Sequence, residues 1–141
     1  MVDAWHAAAA RADEGTYFAL FAKDGVFLGT DATERWTVPA FRAYAHPHFA
    51  KGKAWAFRSV RRSFSFSSDG NVAWFDEDLE TNTLGPARGS GVLVREGASF
   101  KIAHYDLSVP IPNERFAAVR KLIAGGAEAR GADAIRSASS R

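Results

Sequence analysis

The chain has 141 residues, 47% apolar and 24% charged, the composition of one globular domain with a single substantial core. A formal net charge of +2 leaves no electrostatic footprint for nucleic acid. The absence of cysteine excludes disulfides, thiolate catalysis and cysteine metal sites. No apolar run reaches bilayer length or follows a basic leader, so no membrane partner and a cytoplasmic location are expected. Eleven Phe and four Trp suit a deep core or a ring-lined cavity.

Val2 to Ala12 predicts an alanine-rich helix with Trp5, Ala8, Ala9 and Ala12 on one stripe. Gly15 interrupts it, and Thr16 is the expected cap of a short, ring-loaded second helix through Phe21. Lys23-Asp24-Gly25 has turn chemistry, and Val26–Leu28 reads as a short strand. Gly29 to Trp36 mixes glycine, hydroxyls and both charges without a period, as functional loops and capped helix entries both do. Thr37 then caps a third helix, Val38 to Phe49, with Pro39 in its first turn. A kink or an end is expected at His46-Pro47-His48, because proline disfavours helical geometry at the residue before it.

After Lys53 the chain turns to β-branched and aromatic residues. Strands are expected at Ala54–Ser67, Val72–Thr83, Ala87–Arg95 and Phe100–Val109, joined by short Gly-containing turns. In the last strand strict alternation puts Phe100, Ile102, His104 and Asp106 on one face, assigned here to the interior, and Lys101, Ala103, Tyr105 and Leu107 on the other. Pro110-Ile111-Pro112 ends it, and Asn113 caps a closing helix with Phe116, Val119, Leu122 and Ile123 on its apolar side. Residues 1–124 form the expected domain. Residues 125–141, almost without large apolar side chains, are expected to be a flexible tail.

Helices first and a long meander after them indicate an α+β fold, with helices packed on one face of a curved, mostly antiparallel sheet. GTDATERW (Gly29–Trp36), VAWFDEDL (Val72–Leu79), RGSGVLVR (Arg88–Arg95) and IAHYDLSVPIPN (Ile102–Asn113) resemble, in order and spacing, the SnoaL-like branch of the nuclear-transport-factor-two-like superfamily. The resemblance covers Val2 to Ile123 and implies a cone-shaped α+β barrel of cystatin-like type, open at its wide end on a cavity and commonly a homodimer through the sheet. Relatives so implied include ketosteroid isomerase, scytalone dehydratase, polyketide cyclases and the association domain of calmodulin-dependent kinase. One fold hosting so many roles does not fix this chain's own role.

The residues themselves supply the candidates. His104 and Asp106 are the expected catalytic pair, an imidazole able to move a proton near neutrality with a carboxylate to orient it. On the second strand either Phe75, Glu77 and Leu79 or Trp74, Asp76 and Asp78 face inward. An interior carboxylate there would either shuttle protons or be paired with Arg58, Arg62 or Arg88. Tyr17, Asp31, Arg35, Trp36, Tyr44, Arg88 and Ile102 complete the expected pocket. The glycines of Arg88-Gly89-Ser90-Gly91 lack phosphate-loop spacing and are expected to make room for a ring. His46 and His48 have no supporting ligand spacing, so no metal is expected, and no cofactor. The reading is a small-molecule pocket for a largely apolar ligand. It would be an isomerase, dehydratase or cyclase working by side-chain acid–base chemistry, or else a non-catalytic ligand-sensing or association domain.

Overall fold

The structure, a computed structural model, describes residues 1–125. The alanine-rich start forms α1 (Val2–Ala10), with Val2, Trp5, His6 and Ala9 buried at the i, i+3, i+4, i+7 spacing of one helical face. The next helix, α2 (Glu14–Ala19), is capped by Asp13, whose carboxylate accepts from the Thr16 N–H at 3.0 Å; the expected cap, Thr16, lies inside the helix. Strand β1 (Phe21–Leu28) starts at Phe21 rather than Val26 and absorbs Lys23–Gly25 as an irregularity in its pairing. A three-residue strand not expected from the sequence, β2 (Arg35–Thr37), folds back on β1. Helix α3 (Val38–Ala50) runs through Pro47. The helix does not end there: Pro47 and Ala43, whose carbonyl loses its helical donor, are both exposed, so the loss falls on the solvent side.

The meander is as expected: β3 (Phe57–Phe66), β4 (Val72–Thr81), β5 (Gly85–Glu96) and β6 (Ser99–Ser108) pair antiparallel in succession. The six-stranded order is β2-β1-β6-β5-β4-β3, with β1 and β6 parallel and the curved sheet left unclosed between β2 and β3. Helices and sheet share one aromatic core, in which Trp5 stacks on Tyr17 at 5.0 Å and meets Tyr105 edge-on at 4.6 Å. This is the α+β architecture that the sequence pattern indicates.

The face assignment on β6 needs correction. Val92 pairs with His104 while its neighbour Leu93 pairs with Ile102, so Ala103 is an extra residue, a β-bulge. Ile102, Tyr105 and Leu107 are buried together; His104 and Asp106 turn to the opposite face and are only half-buried. Burying Ile102 with Tyr105 requires an odd step along a strand of period two, and the bulge supplies it. Each large side chain so buried stabilises the fold by about 1.5–3 kcal/mol, enough to fix the slip.

A second unit begins at Ile111 and contains a 3-10 turn, Asn113–Arg115, leading into a helix over 116–125. The tail expected over 125–141 lies, from residue 126 onward, outside the described residues. Among the described residues no helix is long and apolar enough to cross a membrane.

The bulge is tested by paired truncations. Ile102→Ala is expected to cost about 2–5 kcal/mol, and His104→Ala less than about 1 kcal/mol, in urea unfolding. Equal costs would restore the unbulged register.

Candidate functional site

The face of β4 that points inward carries Phe75, Glu77 and Leu79. Glu77 is fully buried, and a carboxylate there must be met by donors from every side. It is. His6 Nε2 lies 2.8 Å from Oε1, and the Tyr105 hydroxyl donates to the same oxygen at 2.9 Å. Arg62 on β3 donates to Oε2 through both Nε at 2.9 Å and Nη2 at 2.6 Å, two charge-assisted bonds converging on one oxygen. Its Nη1 reaches the Asp3 carboxylate on α1 at 2.7 Å. Burial pushes the Glu77 carboxyl up, but His6 and Arg62 overcome it and hold the group near 2, against an ordinary value of 4.5. Burial, and then the charge of Glu77, raise the Tyr105 phenol above its usual range, so it stays a donor. Burial opposes the charge on Arg62, while Asp3 and Glu77 raise it. Gly89 on β5 makes the arrangement possible: a Cβ there would collide with the Tyr105 hydroxyl and sit 3.0 Å from Glu77 Cγ.

A cavity of about 290 Å³ lies beside this network, between α3, the Gly29–Trp36 loop and the β4–β5 turn. Phe27, Phe41, Trp55, Phe57 and Leu107 line it; Trp36, Tyr44 and Leu84 line it as well, with Glu34 and His48 as its titratable groups. Trp36 stacks on Tyr44 at 5.1 Å. Two cavity rings also touch the buried network: Phe27 stacks on Tyr105 at 5.8 Å, and Phe57 meets the His6 ring edge-on at 6.0 Å. Cavity and ion network are thus neighbours divided by a layer of rings.

A family model for the SnoaL-like domain matches residues 1–112. The chain belongs to the SnoaL-like domain family. Solved structures that this SnoaL-like chain resembles include an NTF2-like protein from Pseudomonas putida, at 16% identity and TM-score 0.66, over 80% of this chain and 84% of the other. A candidate ketosteroid isomerase from Parabacteroides distasonis aligns at 15% identity and TM-score 0.61, over 79% and 86% of the two chains. A candidate scytalone dehydratase from Novosphingobium aromaticivorans aligns at 10% identity and TM-score 0.64, over 78% and 79%. At these identities the likeness is one of fold. No curated protein sequence matches the chain.

The SnoaL-like domain distributes the sequence candidates over four places. Glu77 and Ile102 are buried inside, and Tyr17 is wholly buried in the ring core, where burial pushes its phenol well up. Trp36 and Tyr44 line the cavity. His104, Asp106, Trp74, Asp76 and Arg88 lie on the opposite sheet face; Trp74 and His104 flank Val92 in one cross-strand row, and Asp76 pairs with Arg61 at 3.4 Å. Asp31 stays in the loop, accepting from the Thr33 N–H at 2.9 Å and its hydroxyl at 2.6 Å, and Arg35 is exposed on β2. His46 and His48 diverge: His46 Nδ1 lies 2.7 Å from Glu14, and His48 faces the cavity. His6 was not among the stripe residues read from α1, although it lies one position from Trp5 within the same helix, and Tyr105 was concealed by the bulge. Among the described residues no group of three or more His, Asp or Glu is placed to hold a metal ion.

The held carboxylate gives a pH prediction. Glu77 is depressed in the folded state, so its stabilisation is complete above about pH 4.5 and is lost as pH falls toward 2. The effect is on the order of 3 kcal/mol, at about 1.4 kcal/mol per pH unit. Urea midpoints between pH 7 and 2.5 should fall more steeply in the parent than in Glu77→Gln; Asp69, held near 2 by Ser67 and Asn71, titrates in both and cancels. Arg62→Met, which strands the buried anion, should cost about 3–5 kcal/mol at pH 7.

Proposed function

We propose that this SnoaL-like domain binds one small, largely apolar molecule in the cavity between α3 and the β4–β5 turn. The observation that carries the proposal is the lining: a wall of rings with few polar groups, at the size of a small-molecule site. The fold likeness to a candidate ketosteroid isomerase and a candidate scytalone dehydratase is in keeping with a small-molecule pocket. Glu77 takes no part in chemistry on this reading. Both of its oxygens are occupied by strong donors, and its low pKa makes it a poor base.

A second reading, acid–base turnover of the isomerase, dehydratase or cyclase kind, has one observation in its favour. Glu34 from the loop and His48 from α3 line the same cavity, so a carboxylate and an imidazole face one ligand. Turnover would then fall by about 100-fold or more in Glu34→Gln or His48→Gln with ligand affinity nearly kept.

Binding is tested with 2-naphthol as probe, titrated against the fluorescence of the cavity tryptophans. A saturable quench is expected in the parent. Leu84→Trp, which narrows the half-buried rim, should weaken it by about tenfold without lowering the melting temperature. No saturable binding, or equal binding in Leu84→Trp, would reject the cavity as the site.

A further inference from the structure

We propose that the ligand of this cavity carries a positive charge, as an amine or a quaternary ammonium on an apolar body. The inference rests on the reading that the cavity binds a small molecule, and adds the chemical class. Six rings line the space: Phe27, Trp36, Phe41, Tyr44, Trp55 and Phe57. The face of a ring carries negative potential; Phe27 and Phe41 stack on each other at 4.1 Å with Tyr105 and Trp55 over their other faces, so Trp36, Tyr44, Trp55 and Phe57 are the rings left to offer a face to a cation. Among the described residues no lysine or arginine lines the cavity, and Glu34 supplies a full negative charge.

The carboxylate is built into place. The Gly29 N–H donates to the Glu34 carbonyl at 2.9 Å, and the Glu34 N–H donates to the Asp31 carbonyl at 2.9 Å. Glu34 Oε2 accepts from the Asp31 N–H at 3.2 Å, and the side chain lies where a Cβ on Gly29 would be. Trp36 pairs with Phe27 and lines the cavity with it; Arg35 pairs with Leu28 on the alternate strand position, is exposed, and is not among the lining residues. Glu34 is half-buried. A neutral ligand closing over it would remove water from the charge without replacing it, and an anion would add repulsion. A cation answers the carboxylate by charge and the ring faces at once, which a neutral hydrogen-bond donor does only in part.

The test compares benzyltrimethylammonium with neopentylbenzene, which has the same shape and no charge, by calorimetry and tryptophan quenching. The cation is expected to bind at least about tenfold tighter. That preference should disappear in Glu34→Gln, which keeps the acceptor for the Asp31 N–H, and shrink in Trp36→Leu; melting curves establish that both variants are folded. Equal or tighter binding of neopentylbenzene would overturn the cation preference and leave the cavity standing as an apolar site. A cation preference unchanged in Glu34→Gln would overturn the role given to the carboxylate. Failure of both probes to bind would overturn the cavity reading along with the inference.

Discussion

A carboxylate buried in a sheet has to be answered, and the way Glu77 is answered organises much of this domain. Its donors come from three elements: Arg62 from the neighbouring strand, Tyr105 from two strands away, and His6 from the first helix. Arg62 extends the chain of charges to Asp3 on that same helix. The helix is short and rich in alanine, with little large apolar surface beyond Trp5 to anchor it. The ion network therefore adds to the hold of Trp5 on α1, whereas α3 seats Phe41 and Phe49 in the core and keeps its ion pairs, Arg42 and His46 to Glu14, at the surface. Such a network need not be worth more than a well-packed apolar replacement. Its consequence is specificity, since any slip of β6 against β5 would leave Glu77 one donor short.

Placing the ion network beside the cavity rather than in it separates two jobs. The rings of Phe27 and Phe57 form a common wall, touching Tyr105 and His6 on one side and lining the cavity on the other. The cavity is thus set apart from the buried charge. The carboxylate and the imidazole that line it, Glu34 and His48, come from the loop before α3 and from α3 itself. Loops carried by a rigid scaffold are where binding residues are expected to vary between relatives. A likeness to solved structures at 10–16% identity is one of fold, and fold alone does not fix what such a rim holds.

The elements were legible from the sequence because their signals are local. Alanine-rich, capped and β-branched stretches fall where the helices and the meander lie, and four motif blocks carry the family. Two features were not local. The bulge at Ala103 belongs to the pairing of two strands, and alternation within β6 alone puts His104 where Tyr105 in fact stands. The capture of Glu77 by His6 joins residues 71 positions apart, beyond the reach of any spacing rule. Of the two faces left open on β4, the structure buries the one with Phe75, Glu77 and Leu79, and Arg62 was among the partners expected for a carboxylate there. The helix through Pro47 shows the remaining limit: proline forbids a hydrogen bond, but exposure decides whether the loss matters.

The central claim is that Glu77 is a structural anion, ionised throughout the working range and insulated from the ligand. Carbon-13 NMR of the glutamate side-chain carboxyls, with Glu77 assigned by its absence in Glu77→Gln, observes that group directly. Its resonance should remain that of a carboxylate from pH 8 down to about pH 3, and should not titrate differently when a ligand fills the cavity. A carboxyl that titrates between about pH 5 and 7, or whose titration moves with the ligand, would make Glu77 a proton-exchanging group of the site and contradict the account.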